Sequence, residues 1–225
     1  MSIVWSEEIA KDTAETLLDS NVYSINFSQD KSEWTKLPDG TITPCYCNCR
    51  YINRTPYQSR AVVSYLETMV RVQYKKAGII VGLATAGIPF ASLLADRLGL
   101  PVSYVRNKPK GYGQGNLVEC NPQRELKAVV IDDLLFTGAS MVRSVEALSC
   151  EYGITTIGVA TIVALSSWES QENEWKFFKE RDIAVHSLTS YHHLLDELLR
   201  RDKIVKSQFQ QLSAYYLCPK SYEWQ

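Results

Sequence analysis

Two neighbouring carboxylates, Asp132 and Asp133, separate an apolar run, Ala128 to Ile131, from a loop of small and hydroxyl residues, Thr137-Gly138-Ala139-Ser140. Beyond the loop, Met141, Val145 and Leu148 recur at helical spacing. A buried strand would therefore carry acids to the carboxyl edge of a sheet. The loop would offer backbone N–H groups and hydroxyls at a helix start, which suits a phosphate. Acids beside a phosphate cradle repel the ligand unless they bind something else, and sugar hydroxyls or a divalent cation meet that need. The combination points to a phosphorylated sugar bound with Mg²⁺. A Walker A loop would need Gly-Lys-Ser/Thr after its glycines, and none follows here. The plainer alternative, an acidic strand end capping a helix, leaves the paired acids and the Thr-Gly-Ala-Ser loop without a purpose.

A second constellation spans Arg106 to Asn116. Arg106, Lys108 and Lys110 alternate with other residues, and Gly111, Gly113 and Gly115 follow at alternate positions. Cationic loops at strand ends close over anionic substrates and exclude water. A solvated surface loop is the alternative, and this loop alone does not choose between the two.

The elements that must position these residues alternate along the chain. Helical spacing predicts helices over Ser6–Leu18, Ser59–Tyr74, Ile88–Leu98, Trp175–Arg181, Tyr191–Leu199 and Lys203–Leu212. Strands are expected at Tyr23–Phe27, Ile42–Tyr51 with an interruption at Pro44, Ile79–Leu83, Val102–Val105, Lys127–Ile131, Thr156–Ala164 and Ala184–Leu188. Several of the later strands are apolar on both faces, as in a parallel sheet covered by helices. The fold class is α/β: a mainly parallel sheet flanked by helices, with a small N-terminal α+β hood element. The expected division is a hood over residues 1–55, a core over 56–200 and a helical extension over 201–225.

The 225 residues, 45% hydrophobic, support a sizeable core, and a net charge of −1 argues against nucleic-acid or membrane binding. Residues 77–95 lack charge, but three glycines and Pro89 make them a strand, loop and helix rather than a membrane span. Met1 to Asp12 shows no secretory pattern, so a soluble, cytoplasmic protein is expected. Of six cysteines, Cys45, Cys47 and Cys49 would share one strand face. They read as small inward residues, since zinc spacing is absent and a disulfide framework does not fit a cytosolic chain.

The stretch from Val129 to Ser140 resembles the 5-phosphoribosyl-1-diphosphate (PRPP) motif of type I phosphoribosyltransferases. Three further regions narrow the resemblance to orotate phosphoribosyltransferases. Gly82 to Pro89 is similar to their diphosphate loop in its Thr-Ala-Gly-Ile form, Tyr104 to Asn116 to their catalytic hood loop, and Thr43 to Arg50 to their Ser-Pro-x-Tyr-x-Asp-x-Arg segment near the base site. Ser187 to Tyr191 matches a late strand and helix start, so the resemblance covers about residues 34 to 200.

The resemblance implies a type I phosphoribosyltransferase fold and transfer of ribose 5-phosphate from PRPP to orotate, giving orotidine 5′-monophosphate and diphosphate, with Mg²⁺ held mainly through PRPP rather than by a dedicated protein site. It implies catalytic roles for Lys110, Arg106, Asp132 and Asp133. PRPP would be bound by Thr85, Ala86, Gly87, Arg106, Lys110, Tyr112, Asp132, Asp133, Phe136, Thr137, Gly138, Ala139 and Ser140. Tyr46 and Thr137 would face orotate, with an ordinary strand aromatic as the alternative for Tyr46. It also implies a homodimer in which the hood loop serves the partner's site. The chain departs from the family pattern at Tyr112, where a histidine is usual, and at Asn107, Asn48 and Pro38. Tyr112 brings a hydrogen bond but no charge near neutral pH. His186, His192 and His193 lie outside the motifs and are expected to be structural. A phosphoribosyltransferase for another base and a PRPP-binding regulator without turnover are the competing readings. Against the regulator, no helix-turn-helix pattern is visible and Arg106 and Lys110 are retained. A fused decarboxylase domain is not expected within these 225 residues.

Overall fold

The computed structural model describes residues 3–28, 30–36, 42–109, 116–120, 122–123, 125–165, 172–217 and 222. The centre is a six-stranded sheet of β5 (Ile79–Leu83), β6 (Val102–Val105), β7 (Val118–Glu119), β8 (Lys127–Leu135), β9 (Thr155–Ala164) and β10 (Ala184–Ser190). Its order is β10-β9-β8-β5-β6-β7, parallel except for the short antiparallel β7 at one edge. From β5 the chain steps outward to β6, whereas β8 leads to β9 and β10 on the other side. The topological switch point therefore lies between β5 and β8, where open α/β sheets bind ligands.

The apolar runs explain the layers. All of β5 is buried, and alternate residues of β5 and β8 feed two cores. Ile80, Val129 and Ile131 pack with Leu66 of α2 (Pro56–Gln73), Phe90 of α3 (Gly87–Leu98) and Leu194 of α6 (Tyr191–Arg200). Ile79, Val81 and Val130 pack with Met141 and Leu148 of α4 (Ala139–Tyr152) and Phe178 of α5 (Glu172–Glu180). Local signals set several ends. Ser6 caps α1 (Glu7–Asp19) by accepting from the Ile9 amide, Pro56 opens α2, and Gly99 ends α3 with φ 66°.

Several elements differ from expectation: the first strand stops at Ile25, α5 begins at Glu172 and β10 runs on to Ser190, and four others differ more. The acid-bearing strand does not stop at Ile131. It runs to Leu135, because β9 continues beside it and pairs Asp132 with Thr161 and Leu134 with Val163. The segment Ile42–Tyr51 divides into β3 (Ile42–Thr43), which pairs with β2 (Thr35–Lys36), and β4 (Cys45–Cys47), which pairs with β1 (Tyr23–Ile25). Cys49 then opens a 3-10 helix, Cys49–Arg54, so the three thiols do not share a strand. The last helix, α7 (Lys206–Leu217), starts late because the Lys203 amide turns back to the Leu198 carbonyl and Gln208 accepts from the Val205 amide. It runs on because Tyr215 and Tyr216 are buried, with the Tyr216 hydroxyl 2.6 Å from that of Tyr23. Finally, β7 has no apolar run to announce it.

Candidate functional site

The loops after β5, β6 and β8 all leave the carboxyl edge of the sheet. After β5, Ala84 donates from its amide to the Val105 carbonyl at 2.8 Å, which ties this loop to the end of β6. The Ala84–Thr85 peptide is cis; Thr85 is exposed, while Ala86 and Gly87 are buried. Gly87 shows how tightly the loop is seated. A Cβ there would stand 2.4 Å from the Ile131 carbonyl oxygen and 3.3 Å from Asp132 Oδ1. Only glycine lets α3 begin against the acid-bearing end of β8.

Asp132 and Asp133 are half-buried on β8. Asp132 Oδ1 accepts from the Asp133 amide at 2.9 Å. Burial, then repulsion from Asp133, push the Asp132 carboxyl well above the usual carboxylate range. Burial also raises Asp133, opposed by its hydrogen bond with Asp132 and by the charge of Arg50. A hydroxyl-rich sugar or a cation would favour the charged form of both. Among the described residues no three His, Cys, Asp or Glu side chains gather into a metal cage. Two carboxylates beside a glycine and hydroxyl loop at a helix start nevertheless have a chemistry that fits Mg²⁺, which is commonly held through one or two carboxylates plus substrate phosphates. From Phe136 the chain turns through Gly138, φ 79°, into α4, with Ala139 donating to Thr137 Oγ1 at 3.4 Å. Phe136, Thr137, Ala139 and Ser140 are half-buried and Gly138 is buried.

Arg106 leaves the end of β6. Its amide donates to the Leu117 carbonyl, and its guanidinium lies 3.1 Å from Glu119 on β7. Glu151, in the last turn of α4, accepts from the amides of Leu117 and Val118 at 3.0 and 3.1 Å. Lys110 and Tyr112 lie outside the described residues, as does Pro38.

The 3-10 helix after β4 lies against β8, where Cys49 Sγ donates to the Asp133 carbonyl at 3.8 Å. Tyr46, on β4, is 39% exposed. Thus the fold draws the ends of β5, β6 and β8 together at one edge, with the Tyr46 segment beside Asp133. Sequence reasoning assigned no role to Arg50, Glu119 or Glu151. Arg50 stood inside a quoted motif, but Glu119 and Glu151 carry no motif and are found only once β7 is seen. The histidines serve packing and pairing on β10 and α6. His186 meets the Tyr74 hydroxyl at 2.8 Å, His193 bridges Ser190 and Glu7, and His192 packs at a tilt against Tyr191.

Among the described residues no helix is long and apolar enough to cross a membrane. The Phosphoribosyl transferase domain family matches residues 70–194. The chain is 35% identical over 185 residues to the orotate phosphoribosyltransferase of Bacillus subtilis, covering 82% of this chain and 83% of that one. It is 30% identical over 220 residues to the orotate phosphoribosyltransferase of Cutibacterium acnes, covering 97% of each. In structure it is similar to the orotate phosphoribosyltransferase of Aeropyrum pernix, with a TM-score of 0.66, 22% identity and coverage of 82% of this chain and 97% of that one. It is also similar to the UMP synthase of Leishmania donovani, with a TM-score of 0.73 and 22% identity, covering 92% of this chain and 42% of that longer one. These structural likenesses give the type I phosphoribosyltransferase fold. With the sequence identities, they complete what the switch-point geometry began: the chain belongs to the orotate phosphoribosyltransferase family.

Proposed function

We propose that this chain transfers the 5-phosphoribosyl group of PRPP to orotate, forming orotidine 5′-monophosphate and diphosphate in pyrimidine biosynthesis. The observation that carries the reading is the meeting of Thr85–Gly87 and Asp132–Ser140 at the β5/β8 switch point, with Arg106 at the carboxyl end of the neighbouring β6. In the reaction the bond from ribose C1 to the diphosphate oxygen breaks as an orotate ring nitrogen attacks C1. Positive charge develops on the ribose ring and negative charge on the leaving diphosphate. The site must therefore hold the sugar and neutralise the leaving group.

Asp132 and Asp133 would hold the ribose hydroxyls and the sugar-bound Mg²⁺, which supplies charge to the diphosphate when bound. Their local repulsion makes a cationic partner favourable there. Phe136 to Ser140, at the start of α4, would cradle the 5′-phosphate, with hydroxyls from Thr137 and Ser140. Thr85, Ala86 and Gly87 would face the diphosphate. Arg106 must exchange its Glu119 contact for the anion, and Lys110 would add the main catalytic charge, with Tyr112 alongside it. Tyr46 would pack on the orotate ring near Thr137, within the hood element of residues 1–55. The same reading makes the enzyme a cytoplasmic homodimer whose basic loops serve partner sites.

The test is direct. The protein is mixed with PRPP, Mg²⁺ and orotate, and the orotate ultraviolet band is followed. The band should decay with formation of orotidine 5′-monophosphate. A constant band from a protein that still binds PRPP would refute the orotate reading and leave the PRPP site standing.

A further inference from the structure

The turn between β4 and the following 3-10 helix brings two sulfurs together. Cys47 Sγ and Cys49 Sγ are 3.8 Å apart. Cys47 is half-buried, while Cys49 is buried against the Asp133 carbonyl. Asn48 between them has no side-chain capping bond. Among the described residues the remaining thiols differ. Cys45 is buried, and Cys120 and Cys150 are exposed on other elements.

We infer that Cys47 and Cys49 form a reversible dithiol–disulfide site beside the ribose-binding acids, oxidised by peroxides. Cys47, the less buried sulfur, would attack one oxygen of hydrogen peroxide. The O–O bond breaks, leaving Cys47 as a sulfenic acid and releasing one water. Cys49 sulfur then attacks Cys47 sulfur. The S–S bond forms, the S–O bond breaks, and the hydroxyl leaves with the Cys49 proton as a second water. The thiols together lose two electrons and two protons, and the peroxide takes up both.

The sulfurs must close from 3.8 Å to about 2 Å. Rotation about Asn48 is the available route. The ring so formed spans a single intervening residue, and strained disulfides of this kind are labile rather than structural. Closure draws Cys49 away from the Asp133 carbonyl and alters the path of β4, which carries Tyr46. The functional consequence rests on the proposed orotate reaction, whereas the thiol chemistry does not. Turnover in the oxidised form should fall about tenfold or more, because displacement on the order of 1 Å near a reacting centre costs rate steeply.

The experiment uses the full chain with Cys120→Ser, Cys150→Ser and Cys218→Ser, treated with hydrogen peroxide and then with dithiothreitol. Mass spectrometry of the peptide containing Cys47 and Cys49 should show the loss of two hydrogens. Activity should fall in parallel, and both changes should reverse on reduction. Adding Cys47→Ser should abolish the mass change and the inhibition, with Cys47→Ala as a second variant should serine disturb β4. A peptide mass unchanged by peroxide, or a fully active disulfide form, would overturn the inference. Absence of orotate turnover in the reduced protein would instead count against the proposed function, since the mass measurement is independent of substrate.

Discussion

The end of β8 and the end of β6 both lie at the carboxyl edge of the sheet, yet they are built by opposite means. Asp132 and Asp133 sit on a strand paired to its neighbours, with α3 packed so closely that Gly87 admits no side chain. Their positions are set by the core. Arg106 stands near the sheet edge, where the outer neighbour of β6 is the two-residue β7. Polar side chains hold it: Glu119 takes the guanidinium, and Glu151 secures the β7 backbone. A site fixed by packing can hold a substrate in one geometry. A site fixed by exchangeable polar contacts can release a charge to a ligand and take it back. Under the proposed reaction the first would suit the sugar, which must stay still, and the second the diphosphate, which must leave.

The largest expected effect separates the two ends kinetically. Lys110→Ala should lower kcat by about 10²–10³-fold, the cost of losing one well-placed electrostatic stabiliser, with a much smaller change in PRPP affinity. Steady-state rates and equilibrium PRPP titration check this, and an undiminished kcat would remove Lys110 from the chemistry.

Asp132→Asn should act the other way round, on binding first. Losing a charged hydrogen-bond partner should weaken PRPP about tenfold or more. The ligand-free protein should meanwhile gain stability at neutral pH, because burial and Asp133 disfavour the ionised carboxyl in the fold. The sign is set by the raised value in the folded state. There the acid binds its proton more tightly than in the unfolded chain, where it titrates near about 3.9. The wild-type contribution is therefore greatest below that value and declines as pH rises toward the folded value. Melting temperatures of the ligand-free proteins between about pH 4 and 8 should converge in acid and diverge toward neutrality. Parallel curves would show that the pair is not strained.

The same contrast explains what could be read in advance. Parallel strands covered on both faces announce themselves as apolar runs, so β5, β6 and β9 fall within a residue of their expected bounds, and β8 carries its acids where the run ends. The glycine and acid pattern around Gly87 and Asp132 was legible because close backbone approach and ligand charge restrict residue type. The two-residue β7 was not legible, since it has no apolar run and its outer amides meet Glu151, which is 33 residues from Val118 in sequence. The 3-10 turn at Cys49 was hidden for a related reason. Cysteines alternating with polar residues look like a strand, and only the end of the β1 ladder, at the Asn48 amide bond to Val22, shows why it stops.

Glu151 supplies the smallest of these effects and the sharpest probe of the edge. An edge strand leaves amides facing outward, and here one carboxylate satisfies two of them. Glu151→Ala should return both amides to water at a local cost of about 1–2 kcal/mol. It should leave β8 untouched. Hydrogen exchange should accelerate at Leu117 and Val118 but not at Val130 or Ile131. Because β7 also carries Glu119, Arg106 should be less well placed and kcat should fall by a few-fold while PRPP affinity holds. Equal exchange rates in the two proteins would show that β7 is held by its pairing to β6 alone, and the distinction between a packed end and a tethered end would then fail.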